Sequence, residues 1–503
     1  MLQYSFPGRG RPSISSTILS MTGTLILTFA PFLVVPIVAS LFIGEFSSRV
    51  ALAFMLPALL ATGLGFLLRY SNSQGPVRNR ESLLLSVVAW ALFSLFAAIP
   101  FMILLPGTPF IDALFEAVAG ITTTGITLLS GLEQLPRVLL FFRAELQLLG
   151  GLGILTFFLV VTSRSEEVPF HLFAAENQNV QTPRLTPNIN RSINMITIIY
   201  LALVLIFTGL YFAAGMSPFD SIIHSFTSIA TGGFSNYDAS IGAFQRMGYP
   251  TYALIEWVVI LGMIAGGLNF FVHYRLVRGE LSALWDSVEI KAFWRIAMAT
   301  IALLLIGSMI EQSPSFALSS EHIRRVAFQT FSLITSTGYV TDGLSAAYFP
   351  NVARPLFLLL MIMGGPIAST SSGFKLLRVV ILFESIKHEV RRLYLPQHAV
   401  QPLIIDGWMV PHEEVIRVAG LFMLWLTGIS LTMIATLLLS PMGFLESLSA
   451  SISVISNMGP MYTDVPQIAE LSTPLKATYI LGMLAGRLEI IPFLLVFSRR
   501  AWR

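Results

Sequence analysis

The sequence contains no cysteine and little charge. Across 503 residues, Asp, Glu, Lys and Arg make up 11 %, less than half of the roughly 25 % usual in soluble domains. The first absence excludes thiolate metal sites, cysteine nucleophiles and a disulfide-built scaffold. The second excludes an ordinary soluble enzyme and a charge-rich disordered regulator. The net charge is only +3, too small over this length to draw nucleic acid. Walker A, dinucleotide-fingerprint and HExxH patterns are missing, so the chain carries no machinery for nucleotide hydrolysis, and no organic cofactor is expected. What fills the chain is apolar: 55 % hydrophobic residues, including 38 Phe. Such a chain resides mostly in lipid.

A transmembrane helix needs about 20 predominantly apolar residues. Ten stretches qualify: 17–44, 50–69, 83–105, 138–163, 193–214, 250–274, 295–311, 355–383, 414–440 and 475–498. The first follows a short basic segment with Arg9 and Arg11. It is too long for a signal-peptide core and reads as a retained anchor. Placing both termini in the cytoplasm puts twenty of the 30 Lys and Arg on inner segments and eight outside, as the positive-inside rule requires. After the third, fifth, seventh and ninth stretches comes an apolar segment too short to cross, followed by a glycine turn. Such segments read as re-entrant, and backbone at that depth must be buried in protein or line water.

The four segments are copies of one unit. They read DALFEAVAGITTTG (112–125), DSIIHSFTSIATGG (220–233), RVAFQTFSLITSTG (325–338) and ESLSASISVISNMG (446–459). Each has an isoleucine four residues before the last glycine: Ile121, Ile229, Ile334 and Ile455. The last glycines are 108, 105 and 121 residues apart. A second marker follows in the next span: Gly150-Gly151, Gly266-Gly267, Gly364-Gly365 and Gly486-Arg487. The expected architecture is an all-α polytopic membrane protein with ten transmembrane helices and four re-entrant pore helices, in pseudo-fourfold helix–pore-helix–helix repeats around a central pore. Its parts are a two-helix N-terminal addition (1–70) and four repeats (71–165, 166–290, 291–395, 396–503).

The chemistry follows from the turns. A dehydrated monovalent cation needs several oxygens in place of its water, and rings of backbone carbonyls supply them without a fixed charge. Glycine lets successive carbonyls aim at one axis, and four helix C-termini converging there favour a cation. The turns hold no Asp, Glu, Lys or Arg, which argues against a calcium-type acidic ring and against an anion pore. The competing reading, four tight interhelical turns of small residues, suits a single TTTG better than four in register.

These residues resemble a known family. The strings ITTTGIT, SIATGGFSNYDASIGAF, FSLITSTGY, GGPIASTSSGFKLLR, SNMGPMY and GMLAGRLEII are similar to those of the Trk/Ktr/HKT superfamily of potassium transporters. The two extra N-terminal spans resemble its TrkH-like branch. The resemblance implies potassium uptake across the bacterial inner membrane by a homodimer, gated by a cytosolic nucleotide-binding ring protein. It places filter carbonyls on Thr123, Thr124 and Gly125; on Thr231, Gly232 and Gly233; on Ser336, Thr337 and Gly338; and on Asn457, Met458 and Gly459. Glycine at all four last positions is the family's potassium-selective pattern.

The resemblance also implies a gate in the segment GGPIASTSSGFK (364–375), with Gly364, Gly365, Ser369, Gly373 and Lys375, and in Arg487, an intramembrane cation. Gly, Pro and Ser interrupt the apolar run there and favour a broken helix. Lys375 is equally a gate charge or the inner end of its helix. Arg487 and Glu489 are alternatively a structural ion pair, and Asn269 either bonds the gate or makes a helix–helix contact. The chain departs from the family at Ala368 and Ser372, where glycine is usual, at Pro366 and at Met461. The first two imply a stiffer loop.

Other polar residues carry weaker signals. His224 beside Ser225 lacks an acid and an oxyanion motif and does not suggest hydrolysis. Glu256 is expected at the outer interface, and Asp238 either concentrates cations or caps a turn. The segments 164–191 and 384–413 offer surfaces for a regulator. No chain of intramembrane carboxylates supports a proton relay, which favours channel-like movement over coupling. The alternatives are a sodium-permeable or poorly selective relative, and a non-conducting membrane sensor or scaffold.

Overall fold

In the computed structural model, the described residues are 14–72, 79–164, 189–311, 319–344, 346, 348–394, 396, 402–463 and 468–502. The loop expected to meet a regulator lies, from 165 to 188, outside them. The regular secondary structure of the described residues is helical. One exception interrupts the 384–413 segment: a hairpin of two-residue strands, Ile404–Ile405 and Trp408–Met409. Asp406 and Gly407 turn it with positive φ, as a two-residue hairpin loop demands. The Asp406 carboxylate accepts from the Val288 N–H at 2.9 Å and caps the start of the distant helix Val288–Glu311.

Among the described residues, seven helices are long and apolar enough to cross a membrane, or eight if one bent pair counts as a single span. Large apolar side chains such as Leu59, Leu205, Ile310 and Leu438 cover their outer faces, as lipid contact requires. The remaining expected spans are interrupted. The 250–274 stretch is Tyr252–Gly267 and Phe270–Val277, set at 102°. At the bend Asn269 caps the second piece by accepting from the Phe271 N–H at 2.8 Å. The buried His273 Nε2 bonds the Ala265 carbonyl and holds the angle. The 355–383 stretch is Ala353–Met363, a non-helical loop, and Leu376–Arg392. The 475–498 stretch breaks between Thr473–Arg487 and Ile491–Val496, where Glu489 and Ile490 both have positive φ.

Between the long helices lie four short ones: Phe110–Ile121, Pro218–Ile229, Ser320–Ile334 and Phe444–Ser456. Their middle and last turns are buried on nearly every side. Helices this short, in a chain this apolar, persist by tertiary packing rather than by propensity. The first packs against Asn79–Leu104, Arg137–Arg164 and Thr473–Arg487, which joins the beginning of the chain to its end. The N-terminal helix packs against Ser48–Tyr70 through Gly23 and Gly65: a Cβ at Gly23 would lie 2.6 Å from the Gly65 carbonyl oxygen. This is the close backbone approach that small residues permit in membranes.

Candidate pore site

Each short helix ends in the same backbone turn. Thr123, Thr231, Ser336 and Asn457 all take the left-handed conformation, with φ of 52, 48, 54 and 49°. Two residues later Gly125, Gly233, Gly338 and Gly459 have φ of 78, 76, 83 and 99°. Thr, Ser and Asn side chains adopting one disfavoured conformation at equivalent positions means that surrounding structure imposes it.

The four turns close into a ring. A Cβ on Gly125 would fall on the carbonyl oxygen of Gly232, one on Gly233 on that of Thr337, and one on Gly338 on that of Met458. One on Gly459 would lie 2.9 Å from that of Thr124. Each turn's last glycine therefore abuts the preceding carbonyl of the next turn, and the fourth meets the first. All four glycines line one cavity of about 620 Å³. The twelve residues expected to form a filter are thus brought together.

The return segment after each turn is held by different chemistry. Glu116 accepts from Thr127 Oγ1 at 2.7 Å and lies 3.5 Å from Arg143, both side chains buried. His224 bonds Ser235 Oγ at 3.1 Å, which accounts for this histidine as a brace. Ser332 donates to the Tyr339 carbonyl at 2.6 Å, and Ser449 accepts from the Tyr462 N–H at 2.9 Å. Asp238 accepts from the Gly131 and Leu132 N–H groups, which makes it a turn cap. Glu256 does not extend to the protein surface: it is buried and paired with Arg324 at 2.7 Å.

Behind the ring, Gly150, Gly266 and Gly486 each sit against their own repeat's isoleucine, where a Cβ would strike or crowd the carbonyl oxygen of Ile121, Ile229 or Ile455. Gly364 departs from that register. It has φ 66°, and a Cβ there would fall on the Ser372 carbonyl oxygen. Gly364 and Gly373 press against each other and form the neck of the 364–375 loop. Above the neck, Leu376 N–H donates to the Gly365 carbonyl and Phe374 N–H to that of Ile362, both at 3.0 Å. Ser369 donates to Pro366 within the loop, and Lys375 Nζ to the Ser371 carbonyl. Ala368 holds φ 53° without the glycine that would make it easy.

The loop is bonded to the ring. Thr370 Oγ1 donates to the Ile229 and Gly266 carbonyls, and Thr231 Oγ1 donates to Thr370 Oγ1 at 3.1 Å. The Ser372 N–H donates to Ser336 Oγ at 2.6 Å. Arg487, 3 % exposed, donates to the Thr370 carbonyl at 3.0 Å, to Ser372 Oγ at 2.6 Å and to the Gly150 carbonyl at 3.2 Å. Glu489 turns away to pair with Arg378 at 2.6 Å, so Arg487 and Glu489 are not partners. The Asn269 side chain caps its own helix instead of reaching the loop, though the neighbouring Phe270 N–H bonds the Ala368 carbonyl.

Two contributors carried no repeat signature. Glu289 Oε1 accepts from the Ile367 and Leu377 N–H groups and ties the two ends of the loop together. Gln147 donates to the Gly232 carbonyl at 2.7 Å. Their only signal was a polar side chain next to or within an apolar run.

Comparison with known proteins bears on this geometry. The family model described as TrkH, cation transport protein, matches residues 47–502. The chain belongs to the TrkH family. Among its TrkH-family relatives, the Trk system potassium uptake proteins TrkH and TrkG of Escherichia coli K12 are 29 % and 30 % identical. Each covers 96 % of this chain and 98 % of its own. The crystal structure of the potassium transporter TrkH from Vibrio parahaemolyticus superposes with a TM-score of 0.83 at 26 % identity, over 97 % of this chain and 100 % of that one. The TrkH-family fold therefore extends over nearly the whole molecule, first two helices included.

Proposed function

We propose that the chain admits potassium ions across the bacterial inner membrane through the ring of carbonyls at Thr123–Gly125, Thr231–Gly233, Ser336–Gly338 and Asn457–Gly459. The observation that carries this reading is the closed cycle of glycine–carbonyl contacts. It supports four turns sharing one axis with no ionisable side chain, the setting in which backbone oxygens replace an ion's water. Potassium as the ion is supported by the relatives' names. Gly125 supports selectivity, since a serine there meets the Gly232 carbonyl and a strained φ.

In this reading the chain crosses ten times with both termini in the cytoplasm, and the interrupted helices complete the crossings. The four repeats divide at 71, 166, 291 and 396. The 364–375 loop and Arg487 form the gate. Loop and arginine are joined by two hydrogen bonds, and a third ties the arginine to Gly150, so the loop moves away from the arginine only when the first two break. Arg487, Lys375 and Arg378 outnumber Glu489 and Glu289, which leaves a positive excess that opposes a cation. A homodimer and a cytosolic nucleotide-binding ring partner complete the proposal.

The test is rubidium uptake into a bacterium lacking its own potassium uptake, with and without a co-expressed cytosolic partner. Wild type is expected to support uptake at low external potassium, Gly125→Ser to lose discrimination against sodium, and Arg487→Ala to raise flux. No uptake under either condition overturns the proposal in favour of a non-conducting sensor.

A further inference from the structure

Gln147 is fully buried in the middle of an apolar span, and its amide grips two backbone groups of the second turn. Nε2 donates to the Gly232 carbonyl at 2.7 Å, and Oε1 accepts from the Phe234 N–H at 3.1 Å. One donor and one acceptor facing groups of opposite kind settle which end of the amide is which.

The residue it grips is the odd one of its ring. The positions equivalent to Gly232 are Thr124, Thr337 and Met458, all with side chains. Gly232 lies outside the left-handed region, so its backbone does not call for glycine. The space does: a Cβ on Gly232 would fall on the Gln147 amide. The second turn has given up its own side chain so that one from the first repeat can occupy the place.

This sets one carbonyl apart. Among the described residues, no side-chain donor reaches the carbonyls of Thr124, Thr337 or Met458, whereas Gly232 receives one. A carbonyl oxygen has two lone pairs. A donor on one leaves the other for an ion, fixes the oxygen's direction and withdraws some of its negative charge. We propose that Gln147 is a specificity-determining positioning residue: it stops the Gly232 oxygen from closing on an ion smaller than potassium. This inference rests on the reading of the ring as an ion filter.

The experiment measures rubidium influx and its inhibition by sodium in cells expressing the full chain, normalised to the amount in the membrane. The variants are Gln147→Met, Gly232→Ala and the double variant Gln147→Ala/Gly232→Ala. Gln147→Met keeps the volume and removes the donor. It is expected to raise the sensitivity of the remaining influx to sodium on the order of tenfold, the weight of about one hydrogen bond. Gly232→Ala is expected to lose influx through the clash with the amide. The double variant is expected to regain influx while staying as sodium-sensitive as Gln147→Met.

Sodium sensitivity of Gln147→Met equal to wild type overturns the proposal, and so does a double variant no better than Gly232→Ala. A purely structural role lowers membrane abundance and influx without moving the sodium ratio. Should Gln147→Met fail to reach the membrane, the double variant's sodium ratio decides. A wild type that admits no rubidium overturns the filter reading itself, a result distinct from a conducting wild type that Gln147→Met merely matches.

Discussion

The two levels of the site differ in symmetry. At the ring, four repeats with different side chains adopt one backbone turn, down to φ values of 48 to 54° at the first left-handed residue. Immediately behind it the repeats diverge, although Gly150, Gly266 and Gly486 still share one packing place. The first has a straight helix through Gly150-Gly151. The second bends by 102° after Gly267. The third dissolves into the 364–375 loop, and the fourth puts Arg487 where the first two have a second glycine. Backbone chemistry tolerates side-chain drift, so the ring stays regular while its residues diverge. A gate needs only one moving part and one charge, so symmetry has no hold on it.

Substitutions that attack each level separately test this contrast. Gly233→Ala or Gly338→Ala breaks the regular level. A left-handed Ala costs about 1–2 kcal/mol, and overpacking against a carbonyl costs about 1–3 kcal/mol. Rubidium uptake at low external potassium is expected to fall on the order of a hundredfold. Arg487→Ala acts only on the irregular level. Flux is expected to rise on the order of tenfold, the scale of one charge about 10 Å away at an effective dielectric near 20, with the sodium ratio unchanged. Arg487→Lys is expected to stay near wild type in flux if charge is what matters, and to resemble Arg487→Ala if the three hydrogen bonds matter.

Smaller effects sharpen the comparison. Gly459 has the roomiest of the four glycine contacts, a Cβ there lying 2.9 Å from a carbonyl oxygen, so Gly459→Ala is expected to cost on the order of tenfold in uptake, the conformational penalty with little overpacking added. Equal damage at all four glycines would mean a stricter symmetry than the contacts imply. Glu289→Gln keeps the geometry at the loop ends and removes the charge that strengthens it. Flux is expected to rise roughly threefold, from weakening two bonds by a few tenths of a kcal/mol each.

The regular level was legible in the sequence because repetition announces it. Isoleucine and glycine recur at one spacing, and the ring follows once four copies are aligned. The irregular level was harder to read because hydropathy measures composition and is blind to direction. The run 250–274 stays apolar through a bend of 102°. Glu489 is one candidate partner for Arg487 because intramembrane charges usually pair. Positive φ at Glu489 and Ile490 breaks the helix there, and the carboxylate faces Arg378 instead. Gln147 was illegible for a third reason. Its meaning lies in a carbonyl 85 residues away, and nothing local predicts where its amide ends. Glu256 likewise found Arg324, 68 residues on, rather than the protein surface.

The closing contact of the ring bears on how the protein is made. Asn457 of the last turn donates to Thr124 of the first across 333 residues of chain, and Gly459 sits against the same threonine. Synthesis from the N-terminus delivers the first two joints, while this one and the joint of Gly338 with Met458 wait for the final repeat to enter the bilayer. Until then the nascent chain holds an open arc with no enclosed axis. If the ring is the proposed ion path, an unfinished or truncated product is thereby barred from becoming an ungoverned leak in the cell that makes it. The segment carrying Arg487 follows within thirty residues of the last joint, so the conduit and its restraint are completed almost together.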